Sequence, residues 1–276
     1  MSGVALKALK ELDHAAYLAC LFVPEDKREA VAALYAYVAE LKRIPLLVSE
    51  PLPGEIRLQW WRDVIAGDRA GEASNHPVAA AMIAAMGQFR LPVAPLDAMA
   101  EARIFDLYND PMPDIAALET YLGETQAALI QLCCLVLDPS NAGKNAEASG
   151  HAGMAIGTAA ILMQLRRATL RQRMFIPSSI LKSIGCTRDQ LFAGDEEACA
   201  KAVTALVALG RDHLKTFKRS ANNISPTLRQ AFLQTSLCEP VFRKAEQLGA
   251  KTFVTEFQIG PLLTQLRFTY RAMRGW

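Results

Sequence analysis

Two short basic clusters stand where helices are expected to end. Lys42 and Arg43 close "LYAYVAELKRIP", and Arg166, Arg167, Arg171 and Arg173 crowd into "LRRATLRQRMFIP". Guanidinium forks hold phosphate oxygens bidentately without a metal, so such clusters read either as solvated faces or as an anion site. The tract "EARIFDLYNDPMPD" offers the opposite chemistry. Its Asp106, Asp110 and Asp114 recur every four residues, a spacing that gathers carboxylates on one helical face for a divalent ion. Pro111 and Pro113 interrupt that face, so Asp114 is expected instead to cap the helix of "IAALETYL". His14, His76, His151 and His213 lack zinc-site spacing, and no GxSxG, P-loop or dinucleotide fingerprint occurs. His151 reads as a structural histidine or as the wall of a pocket.

The chain that must position these residues has 276 of them, about half apolar, with 30 basic and 28 acidic side chains and a net charge of +2. That balance excludes the dominant basic face of a nucleic-acid binder and confines any basic function to a local site. Cys20, Cys133, Cys134, Cys186, Cys199 and Cys238 form no CxxC and lie in apolar stretches, which predicts buried thiols and a reducing compartment. Lys7, Lys10, Glu11 and Asp13 interrupt the first apolar run, so neither a signal peptide nor a spanning helix is expected there.

Apolar residues recur at helical spacing along most of the chain, as in Val31, Leu34, Val38 and Leu41, and no alternating strand pattern competes. Breakers such as "IPLLVSEPLPGE", "NDPMPD" and "DPSNAG" divide it into about ten helices. No linker or repeat appears, which predicts one all-α domain over 1–276. "GHAGMAIGTAAILMQLRR" aligns Gly150, Gly153 and Gly157 on one stripe, for close approach of a helix or an elongated ligand. "GPLLTQLRFTYRAMRGW" stacks Leu262, Leu266, Tyr270 and Met273 beside Arg267, Arg271 and Arg274. This is either a helix docked on the core or a basic amphipathic helix for an anionic membrane.

Three stretches together resemble the squalene/phytoene synthase family: "YLACLFVPEDKREAVAALYAYVAEL", "GEIRLQWWRDVI" and "GTAAILMQLRRATLRQRMFIP". The resemblance implies an isoprenoid-synthase bundle with a central cavity, in which Tyr35, Gly153 and Gly157 are candidate lining residues. Family members join two prenyl diphosphates head to head with magnesium held by two aspartate-rich motifs. Here Lys42, Arg43 and Leu46 fall at the aspartate positions of the first motif, Ala168 falls at the leading aspartate of the second, and the turn after it is shortened. "EARIFDLYNDPMPDIAALETYLGETQAALIQL" is most similar to a subgroup that also departs from the aspartates and includes the mitochondrial assembly factor of respiratory complex I.

Carboxylates are what hold magnesium, so lysine and arginine in their place imply lost chemistry. The expectation is a pseudoenzyme with no catalytic residue and no metal or other cofactor, binding an isoprenoid or anionic lipid and a protein partner at the membrane, with a role in complex I assembly. Its anion site would combine Lys42, Arg43, Arg166, Arg167, Arg171 and Arg173. Its expected location is the cytoplasm and the surface of the inner membrane. The competing reading keeps magnesium and head-to-head prenyl transfer, with arginines doing part of the metal's work.

Overall fold

The computed structural model describes residues 3–276, and among them every regular element is helical. Local capping sets the first elements. α1 (Val4–Leu12) gives way to α2 (His14–Cys20) at Asp13, whose extended backbone and carboxylate, accepting from the Ala16 N–H at 2.9 Å, start a new helix. α3 (Glu25–Leu47) opens with Glu25 and Asp26 over its free N–H groups and runs through Pro45 before ending at Val48. A proline in a last turn forfeits one hydrogen bond only, so the break expected at "IPLLVSEP" falls after Pro45 rather than at it. α4 (Pro51–Ala66) begins on Pro51 and stops at Gly67, which takes the left-handed conformation at φ 94°.

A single turn, α5 (Ala70–Ala73), leads to α6 (Pro77–Phe89) and α7 (Val93–Ala102). α8 (Ile115–Leu122) starts at Asp114, whose carboxylate accepts from the Ala117 N–H at 2.8 Å, so the expected cap is present. A wide π-type turn over Gly123–Ala127 joins it to α9 (Ala128–Leu137). The stretch Ile115–Leu137 is long and apolar enough by length and composition to cross a membrane, and 61% of its apolar window is buried inside the bundle. After the turn α10 (Pro139–Ala142) come α11 (Ala146–Leu170), the short α12 (Ser178–Ser183) and α13 (Arg188–Ala193), and then α14 (Glu196–Ser220), α15 (Cys238–Leu248) and α16 (Pro261–Arg274).

α3 and α11 form the centre. α3 is buried on every face from Ala30 to Ala39, and its many alanines let α1, α6 and α9 close around it. α11 lies between α14, α15 and the π-type turn. The glycine stripe splits into different roles. A Cβ on Gly153 would stand 2.6 Å from the Ala127 backbone nitrogen, one on Gly157 would overlap Leu122, and one on Gly150 would meet open space. Two helical surfaces therefore touch at Gly153 and Gly157 because no side chain intervenes. All six cysteines are free and buried.

α16 docks through Phe268 and Thr264, with Phe268 against Leu18, Ala19 and Leu233, while Trp276 sits edge-on to Phe217 at 4.9 Å. The stripe of Leu262, Leu266, Tyr270 and Met273 points to solvent, so the docking face is the opposite side of the helix.

Candidate functional site

The C-terminal ends of α3 and α11 converge on a cavity of about 130 Å³. Its walls are mostly apolar, from Leu122, Gly157, Ile161, Leu165 and Phe175 with Gln126 and Gln164 among them, while Lys42, Arg167, Arg171 and Arg173 towards its mouth and Arg103 deeper in stand against one carboxylate, Asp106. The turn after α11 places two of these cations. The Arg173 N–H donates to the Ala168 carbonyl at 2.9 Å and the Gln172 N–H to the Thr169 carbonyl at 3.0 Å, with Gln172 left-handed at φ 56°. This is the Schellman arrangement with glutamine where glycine is usual, and it sets Arg171 and Arg173 on either side of a tight reversal. Arg171 Nη1 then donates to the Pro45 carbonyl at 2.8 Å, tying α11 to the end of α3.

Arg103, in the 3-10 turn that follows α7, is 6% exposed. Its Nη1 donates to Asp106 Oδ2 at 2.9 Å and to Tyr121 Oη at 2.6 Å, and the Tyr121 hydroxyl donates to Asp106 Oδ1 at 2.6 Å. Asp106 is thereby occupied. Arg103 Nη2 and Arg173 Nε are buried without a hydrogen-bond partner, a costly state for N–H groups of charged side chains. Burial, and then Arg103 nearby, hold the Lys42 ammonium down to about 8, whereas burial and Arg171 lower the Arg173 guanidinium.

The donor set does not fit magnesium. No three His, Cys, Asp or Glu residues cluster among the described residues, and the cavity's one carboxylate already serves Arg103 and Tyr121. What the arrangement can do is hold an anion, because the side chains of Lys42, Arg103, Arg167, Arg171 and Arg173 line a small volume that also has apolar and aromatic walls.

The residues anticipated from the sequence divide. Lys42, Arg167, Arg171, Arg173 and Gly157 line the cavity. Arg43 does not, because it turns outward to Glu40 at 3.2 Å, and Arg166, one position from Arg167, faces solvent on α11. Tyr35 is a core residue 7% exposed, its hydroxyl pushed well above its ordinary value by burial and by Cys133, and it lines no part of the cavity. Gly153 meets Ala127 of the π-type turn rather than the cavity. His151 pairs its Nδ1 with that of His213 at 3.0 Å. Sequence reading missed Arg103 and Tyr121; the available signal was Arg103 three residues before Asp106 in an otherwise apolar tract.

Residues 9–267 match the squalene/phytoene synthase family model, and the chain belongs to that family. Two relatives of known role are more particular. The bovine NADH dehydrogenase (ubiquinone) complex I, assembly factor 6, is 27% identical over 257 residues, 92% of this chain and 76% of that one. The human protein of the same name is 25% identical over 272 residues, covering 98% and 80%. Among solved structures, squalene synthase HpnC from Alicyclobacillus acidocaldarius superimposes with a TM-score of 0.75 at 18% identity, covering 89% of this chain and 93% of its own. A dehydrosqualene synthase in complex with ligand gives 0.75 at 16% identity, covering 96% and 93%. At those identities the structural likeness establishes the fold.

Proposed function

We propose that this chain is a synthase-fold protein without metal-dependent prenyl transfer, acting as a helper in the assembly of respiratory complex I at a membrane surface. The observation that carries the reading is the cavity mouth, where Lys42, Arg103, Arg171 and Arg173 surround a single engaged carboxylate. Ionising a prenyl diphosphate calls for cations held by carboxylates, and a positive mouth repels such ions. The same mouth suits a phosphate-bearing headgroup, whose tail would follow Leu122, Ile161 and Phe175 inward. The names of the bovine and human relatives support the assembly role.

Two measurements test it. Incubation with farnesyl or geranylgeranyl diphosphate and magnesium is expected to release no pyrophosphate; magnesium-dependent release would favour the prenyltransferase reading. Cells lacking their own homologue are expected to regain assembled complex I on native gels when they express this chain, or a chimera carrying it. A wild-type chain that reaches its compartment folded and restores nothing refutes the assembly role.

A further inference from the structure

Large apolar side chains stand exposed at the ends of the helices that flank the cavity. Leu46 and Leu47 end α3, Leu52 and Ile56 stand one turn apart at the start of α4, and Leu170 ends α11; they are 42, 51, 65, 62 and 74% exposed. Isolated exposed leucines are ordinary on a protein surface, but Leu46 lines the cavity, Leu47, Leu52 and Leu170 are sequence neighbours of residues that line it or the depression beside it, and Ile56 follows Leu52 by one helical turn. Pro45 and the α3–α4 corner from Val48 to Pro51 line an outer depression together with Tyr108, Arg171 and Arg173, and that depression shares Pro45, Arg171 and Arg173 with the cavity. The hydrogen bond from Arg171 to the Pro45 carbonyl brings the end of α11, with Leu170, to the end of α3.

The same rim is positively charged. Arg57, Arg166 and Arg167 are exposed and enter no ion pair among the described residues, and Arg171 and Arg173 bond only to carbonyl oxygens. The acids nearby are Glu50, Glu55 and Asp110, with Glu55 accepting from the Tyr108 hydroxyl; Glu40 is matched by Arg43. Apolar side chains interleaved with unpaired arginines around a basic cavity complement a bilayer with anionic headgroups.

We propose that this rim is the face on which the protein lies on an anionic membrane, with Leu47, Leu52, Ile56 and Leu170 entering the acyl boundary, the arginines meeting headgroups, and the cavity opening onto the lipid. The proposal rests on the reading of the cavity as a headgroup site, for which the bilayer is the source. The exposed stripe of α16 is the rival surface; it adjoins neither the cavity nor the outer depression.

Flotation of the full chain with phosphatidylcholine vesicles, and with vesicles that also contain phosphatidylglycerol, tests it. Wild type is expected to float with the anionic vesicles only, and less as salt rises. The variant Leu47→Gln/Leu52→Gln/Ile56→Gln/Leu170→Gln should bind about tenfold more weakly or worse, because it removes four apolar insertions. All four side chains are exposed, and unchanged circular dichroism and melting would show that the variant folds. A second variant, Leu262→Gln/Leu266→Gln/Met273→Gln on α16, should float like wild type. The proposal is overturned by a rim variant that floats normally, by loss confined to the α16 variant, by equal flotation with neutral vesicles, or by a wild type that does not float, the outcome expected if the rim docks a protein. Pyrophosphate binding in solution separates the two readings: rim-dependent flotation without it keeps the membrane face and removes the headgroup site.

Discussion

A lysine at Lys42 is expensive for the fold. Its ammonium sits beside Arg103 in a half-buried position and is held down to about 8 from the ordinary 10.5. A lysine depressed in this way destabilises the folded state wherever it is charged in both states, that is, below about pH 8. The penalty is relieved as pH rises from about 8 towards 10.5, because there the unfolded chain holds the proton and the folded one does not. Lys42→Met, of similar length and uncharged, is therefore expected to be more stable than wild type by roughly 1–3 kcal/mol at pH 7. The gap should narrow towards pH 10, as measured by urea unfolding of both proteins. A gap that is constant or grows with pH would show that Lys42 is not desolvated. Residues of this kind persist where a ligand neutralises them, and an anion in the cavity would raise the Lys42 ammonium back towards its ordinary range. The basic clusters were legible in the sequence because charge is local information. Their partners were not, because whether Arg43 turns to Glu40 and whether Arg103 reaches Tyr121 across eighteen residues depend on how the helices pack.

At the scale of elements, α11 shows what one stripe of glycines can and cannot convey. The spacing of Gly150, Gly153 and Gly157 correctly signals close approach, but it does not say which glycine meets what. In the fold, Gly153 faces a backbone that cannot yield, Gly157 faces a leucine side chain and the cavity, and Gly150 faces nothing within 4 Å. Opposite outcomes follow for one chemical change. Gly150→Ala is expected to stabilise the protein by about 0.5–1 kcal/mol through helix propensity alone. Gly153→Ala, overpacked against Ala127, is expected to destabilise it by about 1–3 kcal/mol. Denaturant midpoints of the two variants against wild type check both signs, and equal effects would mean that the α11 contact with the π-type turn is looser than the 2.6 Å approach at Ala127 implies. The π-type turn itself was illegible: "YLGETQAALIQL" reads as unbroken helix, and the widened turn arises where α8 and α9 must both pack against α11. The helical periodicity that identified most elements carries no information about such an insertion.

At the scale of the whole molecule, the bundle has the family's architecture around a mouth that is basic, where the resemblance implies carboxylates. A site built on carboxylates is neutral or attractive to anions only after metals fill it, whereas a site built on Lys42, Arg103, Arg171 and Arg173 is attractive to them by itself. This difference makes binding and stability measurable in one experiment. Pyrophosphate, which carries the headgroup chemistry without a tail, should raise the melting temperature in the presence of chelator. At a concentration of 100 times Kd the added stability would be about 2.7 kcal/mol, or roughly 2–4 °C for each kcal/mol in a chain of this size. Sodium chloride at matched ionic strength should not reproduce the shift, because screening weakens the repulsion among the cations without placing a bound opposite charge among them. The Lys42→Met/Arg171→Ala variant should lose most of it while still unfolding cooperatively. A shift that needs magnesium would mean that cations have not replaced the metals, and the mouth would then have to recruit carboxylates that the fold holds elsewhere.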